Sequence, residues 1–128
     1  GASHSAQYAL AAIFKSASDG NYHFLSEVKE YEIRANEMKS LFLANGFNIV
    51  YDHDLGESLA DGFYFSIGYN GLTGGKLLLE LLCYGISAIT LDNTGSLREG
   101  LRACVSQTNR NRFPELERRL KCYAIDHQ

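Results

Sequence analysis

Apolar residues recur at alternating steps of three and four through Val28, Tyr31, Ala35, Met38 and Phe42, the spacing of one helix face. The spacing predicts an amphipathic helix over residues 26–45, with Ser26 as its cap, Glu27 and Glu30 at the positive end of the dipole, and Asn45-Gly46 as a left-handed stop. A second helical segment, residues 5–18, closes at Asp19-Gly20. Its apolar run from Tyr8 to Phe14 covers every side of a helix, and such a helix asks to be buried all round. A lone small domain can hardly do that, so the run points to a missing domain or subunit.

After Gly46 the period changes to two. Phe47, Ile49 and Tyr51 alternate with Asn48, Val50 and Asp52, and Phe63, Phe65, Ile67 and Tyr69 alternate with Tyr64, Ser66 and Gly68, which predicts two strands. The polar residues 53–61 between them read as a loop that reverses the chain, so the two strands should pair antiparallel. Thr73 then caps a leucine-rich helix that stops at Gly85, and residues 86–91 form a third strand. A right-handed crossover would make the second and third strands parallel. A Gly-containing turn over residues 92–96, a fourth strand over residues 101–106 and a last helix opened by Pro114 complete the chain. The expected fold is α+β, a small mixed sheet of about four strands covered by helices.

The length of 128 residues suits one domain, which buries roughly two thirds of its unfolded surface and needs no disulfide or metal to make a core. A formal charge of -3 leaves no basic excess for nucleic acid, and the longest apolar run, seven residues, is far short of the roughly twenty that span a bilayer. No secretory signal is visible, and no internal repeat. Cys83, Cys104 and Cys122 are odd in number and widely spaced, and they read as reduced core residues of a cytoplasmic protein. His4, His23, His53 and His127 form no metal motif.

Few stretches invite a chemical reading. The Gly-rich residues 68–76 fail as a phosphate loop, because Asn70 and Leu77 stand where that motif requires Gly and Ser or Thr. Asp52-His53-Asp54 reads as a solvated loop, and the arginines of the last quarter as helix-face charges paired with Glu115 and Glu117. Arg102 differs from these. It lies inside Leu101-Arg102-Ala103-Cys104-Val105-Ser106, a strand of otherwise small and apolar residues, where a buried guanidinium without an anion costs several kcal/mol. The anion is either internal, such as Asp92 or Glu99, or the carboxylate of a ligand held by two parallel N–H bonds.

The residues Gly62-Phe63-Tyr64-Phe65, Gly85-Ile86-Ser87-Ala88-Ile89, Gly95, Gly100 to Ser106 and Phe113-Pro114-Glu115-Leu116-Glu117-Arg118-Arg119-Leu120 together resemble the C-terminal small domain of class I/II aminotransferases. These are the fold type I enzymes that use pyridoxal phosphate. The resemblance implies that Arg102 binds the α-carboxylate of an amino-acid substrate. Residues 3–11, Ser3-His4-Ser5 onward, are similar to the segment entering the interdomain helix, which implies that Ser3 and Ser5 approach the cofactor of a neighbouring subunit in a homodimer. It further implies that residues 1–20 begin that helix and residues 21–128 form the small domain, with the large domain lying outside this chain.

Two departures accompany the resemblance. Asp92-Asn93-Thr94-Gly95 lacks the family's proline, and none of Lys15, Lys29, Lys39, Lys76 and Lys121 matches the Schiff-base lysine motif. Pyridoxal phosphate is therefore expected in an intact parent but not on this chain, which should be inactive alone. Two other classes stay open: a free-standing module that binds a small carboxylate without catalysis, and a structural or dimerisation domain in which Arg102 pairs internally.

Overall fold

The computed structural model describes residues 1–59 and 62–127, whose contacts fall into two compact units, residues 1–30 and residues 31–128. In the first unit, helix α1 (His4–Ser18) is capped by Ser3, whose hydroxyl accepts from the Ala6 amide at 3.3 Å. It ends at Asp19-Gly20, as the sequence predicts. No side chain of α1 is buried: Tyr8 is 79% exposed and Phe14 56%. The cover that an all-round apolar helix asks for does not come from this unit. Within it Tyr22 and Phe24 meet edge-on at 4.9 Å.

Helix α2 (Phe24–Ala44) carries the unit boundary within it. Ser26 lies inside this helix and so does not cap it; the helix begins two residues earlier, at Phe24. Of the predicted stripe, Ala35, Met38 and Phe42 are buried and Tyr31 packs at the edge of the core, while Val28, in the first unit, is exposed. The stop at Gly46 forms as expected. With φ at +85°, Gly46 donates to the Leu43 carbonyl and Phe47 to the Phe42 carbonyl, and the Phe42 and Phe47 rings close the motif edge-on at 5.2 Å.

The chain then enters β1 (Asn48–Ile49), a small hairpin of β2 (His53–Asp54) and β3 (Glu57–Ser58), and β4 (Tyr64–Gly68). β1 and β4 pair antiparallel as anticipated, with Ile49 opposite Ile67. The hairpin occupies most of the predicted loop, turning at Leu55-Gly56, and its residues are exposed. Residues 60 and 61 of that loop lie outside the described residues. α3 (Gly74–Cys83), β5 (Ile89–Thr90), β6 (Leu101–Cys104) and α4 (Phe113–Asp126) follow, and Thr73 caps α3 by accepting from the Lys76 amide.

The strands order as β1-β4-β6-β5. β4 and β5 run in the same direction, as a crossover implies, but β6 lies between them, so every hydrogen-bonded pair is antiparallel. The cause is the short return from β5. Residues 91–100 turn the chain straight back, the Leu91 amide donates to the Gly100 carbonyl at 3.0 Å, and β6 takes the slot beside β4. The fold is α+β. One core unites Phe42 and Met38 of α2, Ile67 of β4, Leu77 and Leu81 of α3, Leu101 and Ala103 of β6, and Leu120 and Tyr123 of α4. Tyr123 is fully buried among the rings of Phe47, Tyr69 and Tyr84, and its hydroxyl donates to Glu80 at 2.8 Å.

The three cysteines are free thiols, but they are not core residues: Cys83 and Cys122 are exposed and Cys104 is half-buried. Cys83 closes α3 and Cys122 sits on the outer side of α4, positions where the helix period turns a side chain away from the core. Among the described residues no helix is long and apolar enough to cross a membrane, and no group of three or more potential ligands is placed to hold a metal.

The arginines of α4 pair as the sequence suggests. Glu115 accepts from Arg118 at 2.8 Å through two nitrogens and from Arg119 Nε at 2.8 Å, while Lys121 meets Glu117 at 2.6 Å. Arg119 also donates to the Gly85 carbonyl at 2.6 Å, tying α4 to the end of α3. The two guanidinium groups hold the Glu115 carboxyl down at about 2, against an ordinary value of 4.5. A depressed folded-state value stabilises the fold above the unfolded one. The contribution is complete above pH 4.5 and disappears as the pH falls through 2. The midpoint of urea unfolding should therefore fall less steeply over that interval for Glu115→Gln than for the unaltered chain; parallel profiles would show that the pair contributes nothing.

Candidate functional site

Arg102 is positioned by the alternation of β6. Leu101 and Ala103 are buried in the core, so Arg102 and Cys104, both half-buried, occupy the other face of the strand. The register sets Arg102 between Ser66 of β4 and Ile89 of β5. Its guanidinium carbon lies 4.3 Å from the centre of the Tyr64 ring, a cation–π contact that fixes the plane of the fork while leaving its N–H edge unspent.

The two internal anions that could have neutralised it are engaged elsewhere. Glu99 accepts from the Gly74 amide at 2.7 Å and so occupies the N-terminus of α3. Asp92 accepts from the Thr90 hydroxyl and the Asn93 amide, which hold its carboxyl below the usual range. Among the described residues no carboxylate forms an ion pair with Arg102.

A second arginine–tyrosine contact joins the loops that flank β1 and β6. Arg98 sits 4.8 Å from the centre of the Tyr51 ring and donates to the Val50 carbonyl at 2.8 Å. The Tyr51 amide in turn donates to the hydroxyl of buried Ser66 at 2.9 Å, and Ser66 is the cross-strand neighbour of Arg102. The anion site of the α3 N-terminus, raised by the Gly-rich stretch, is taken by Glu99, so this stretch serves as a strand-to-helix connection. Asp52-His53-Asp54 is exposed, with His53 Nδ1 3.3 Å from Asp52.

Ser3 and Ser5 belong to the first unit, where their hydroxyls are 3.3 Å apart and exposed. Arg102 belongs to the second. Lys15, Lys76 and Lys121 have side chains 77%, 64% and 61% exposed, each beside a carboxylate one helical turn away, while Lys39 is half-buried with its amine 5.9 Å from the centre of the Phe65 ring.

No family model matches the chain, and no curated protein matches it. The chemistry consequently rests on geometry. What Arg102 can do is bind: a preset, half-desolvated guanidinium recognises a carboxylate by two parallel charge-assisted bonds. Tyr64 and the commitment of Glu99 to α3 were not legible in the sequence, because both depend on the register of β4 against β6 and on where α3 starts. Alternation marked Tyr64 only as a residue facing away from Phe65.

Proposed function

We propose that this chain is the small domain of a pyridoxal phosphate-dependent aminotransferase-like enzyme, in which Arg102 holds the α-carboxylate of an amino-acid substrate. The observation that carries the reading is the state of Arg102: half-buried, stacked on Tyr64 and, among the described residues, in no ion pair, while Glu99 bonds the start of α3 and Asp92 bonds Thr90. The resemblance of residues 62–65, 85–89 and 100–106 to the family's small domain supplies the substrate class. Uncovered α1, with Leu10 and Ile13 also about half exposed, accords with an interface to a large domain or a second subunit. Ser3 and Ser5 at its start would then approach the cofactor of the neighbouring protomer in a cytoplasmic homodimer.

In this reading the cofactor and its lysine come from outside the chain, and the chain's share is to orient the substrate. The test is chemical. The full-length enzyme should process an α-amino acid with kcat/KM at least about a hundredfold above that for the amine lacking only the carboxylate. Equal turnover of the two would overturn the role of Arg102. Tight carboxylate binding by the isolated 128-residue chain that Arg102→Met abolishes would instead favour a free-standing module.

A further inference from the structure

A cleft of about 280 Å³, whose lining does not include Arg102, runs between α2, β6, α4 and the segment that follows α3. Phe42, Ile67, Ile86 and Ala103 back it but are themselves buried, and the half-buried Ala88 and Leu116 supply its apolar surface beside the polar Ser87, Gln107 and Thr108. Its rim is charged. Arg112, Glu115 and Arg119 line it, and the charge of Glu115 is already met by Arg118 and Arg119. Arg112, exposed at the start of α4, has no carboxylate partner among the described residues. The cleft thus joins a small apolar surface to one arginine that has no carboxylate partner among the described residues.

We propose that this cleft binds a small monocarboxylate with an apolar body, the body resting on Ala88 and Leu116 and the carboxylate meeting Arg112. Size supports that class. A dry cavity of roughly 150 Å³ accepts benzene, so this cleft accommodates an aromatic ring carrying a short chain.

The probes are 4-phenylbutyrate and its uncharged amide, matched in size, added to the isotope-labelled 128-residue chain and followed by amide NMR shifts. The acid should saturate at millimolar concentration or below, shifting Ile86, Ala103 and Thr108, and should bind at least about tenfold more tightly than the amide. Arg112→Met, an exposed substitution that leaves the core untouched, should bring the acid down to the level of the amide. Arg102→Met should leave both unchanged, which separates this site from the one assigned to the substrate. Ala88→Phe, which fills the cleft, should abolish both; if that variant does not fold, Arg112→Met decides alone. Equal binding of acid and amide, shifts centred on Tyr64 and Arg102, or no saturable shift would each overturn the proposal. So would tighter binding of a peptide ending in Phe, which would assign the cleft to a chain terminus.

Discussion

Arg102→Ala, in the full-length enzyme the proposal implies, is expected to lower kcat/KM for the amino-acid substrate by roughly a hundredfold to ten-thousandfold. Two charge-assisted hydrogen bonds at about 1.5–3 kcal/mol each give that range, at about 1.4 kcal/mol per factor of ten. Arg102→Lys should recover only part of it, because an ammonium keeps the charge but loses the planar fork and the stack on Tyr64. The readout that distinguishes binding from scaffolding is the pair of Arg102→Met measurements, kinetics and unfolding midpoint. Lost turnover at an unchanged midpoint supports ligand binding. An altered midpoint with unaltered turnover would show that the guanidinium is a structural element of the sheet, and the assignment would fail.

Gly100→Ala should cost on the order of 3 kcal/mol or more of folding stability, from strain and overpacking together. Gly100 has φ of +141°, a region that side-chain-bearing residues rarely enter. A methyl group there would lie 2.5 Å from the Ile67 carbonyl oxygen and 2.9 Å from Val50 Cγ2. The carbonyl cannot retreat cheaply, since Ile67 is buried and pairs with both Ile49 and Leu101. The same spot receives α3: a methyl on Gly74 would stand 2.5 Å from the Gly100 carbonyl oxygen, while the Gly74 amide is bonded to Glu99. Gly100 therefore sits where helix, turn and strand converge, two residues before Arg102. Gly75→Ala is the control, because that position has open space within 4 Å and should change stability by at most about 1 kcal/mol. Denaturant midpoints for the two variants should separate clearly. A Gly100→Ala midpoint matching that of Gly75→Ala would show that the backbone relaxes freely there.

The helices and their ends were legible in the chain because their causes are local. The Val28-to-Phe42 spacing, the Asn45-Gly46 stop, the Thr73 cap and Pro114 at the start of α4 each act within about a turn of themselves. Strand alternation was legible for the same reason, and it singled out Arg102 as a charge in a small apolar strand. The cysteines misled, since small apolar residues read as core only until the helix phase is known, and two of them face solvent.

The sequence by itself determined the four helices and the segments that supply the main sheet, and it singled out one arginine in an apolar strand, but it read the β2–β3 hairpin as a loop. Only the tertiary structure decided what that arginine meets. Order and register across β4, β6 and β5 join residues 38 positions apart, placing the Tyr64 ring against Arg102, and the start of α3 takes the Glu99 carboxylate through the Gly74 amide. Such pairings are set by the closing of loops and the filling of one shared core, which depend on the whole chain at once, whereas periodicity reports only on neighbours.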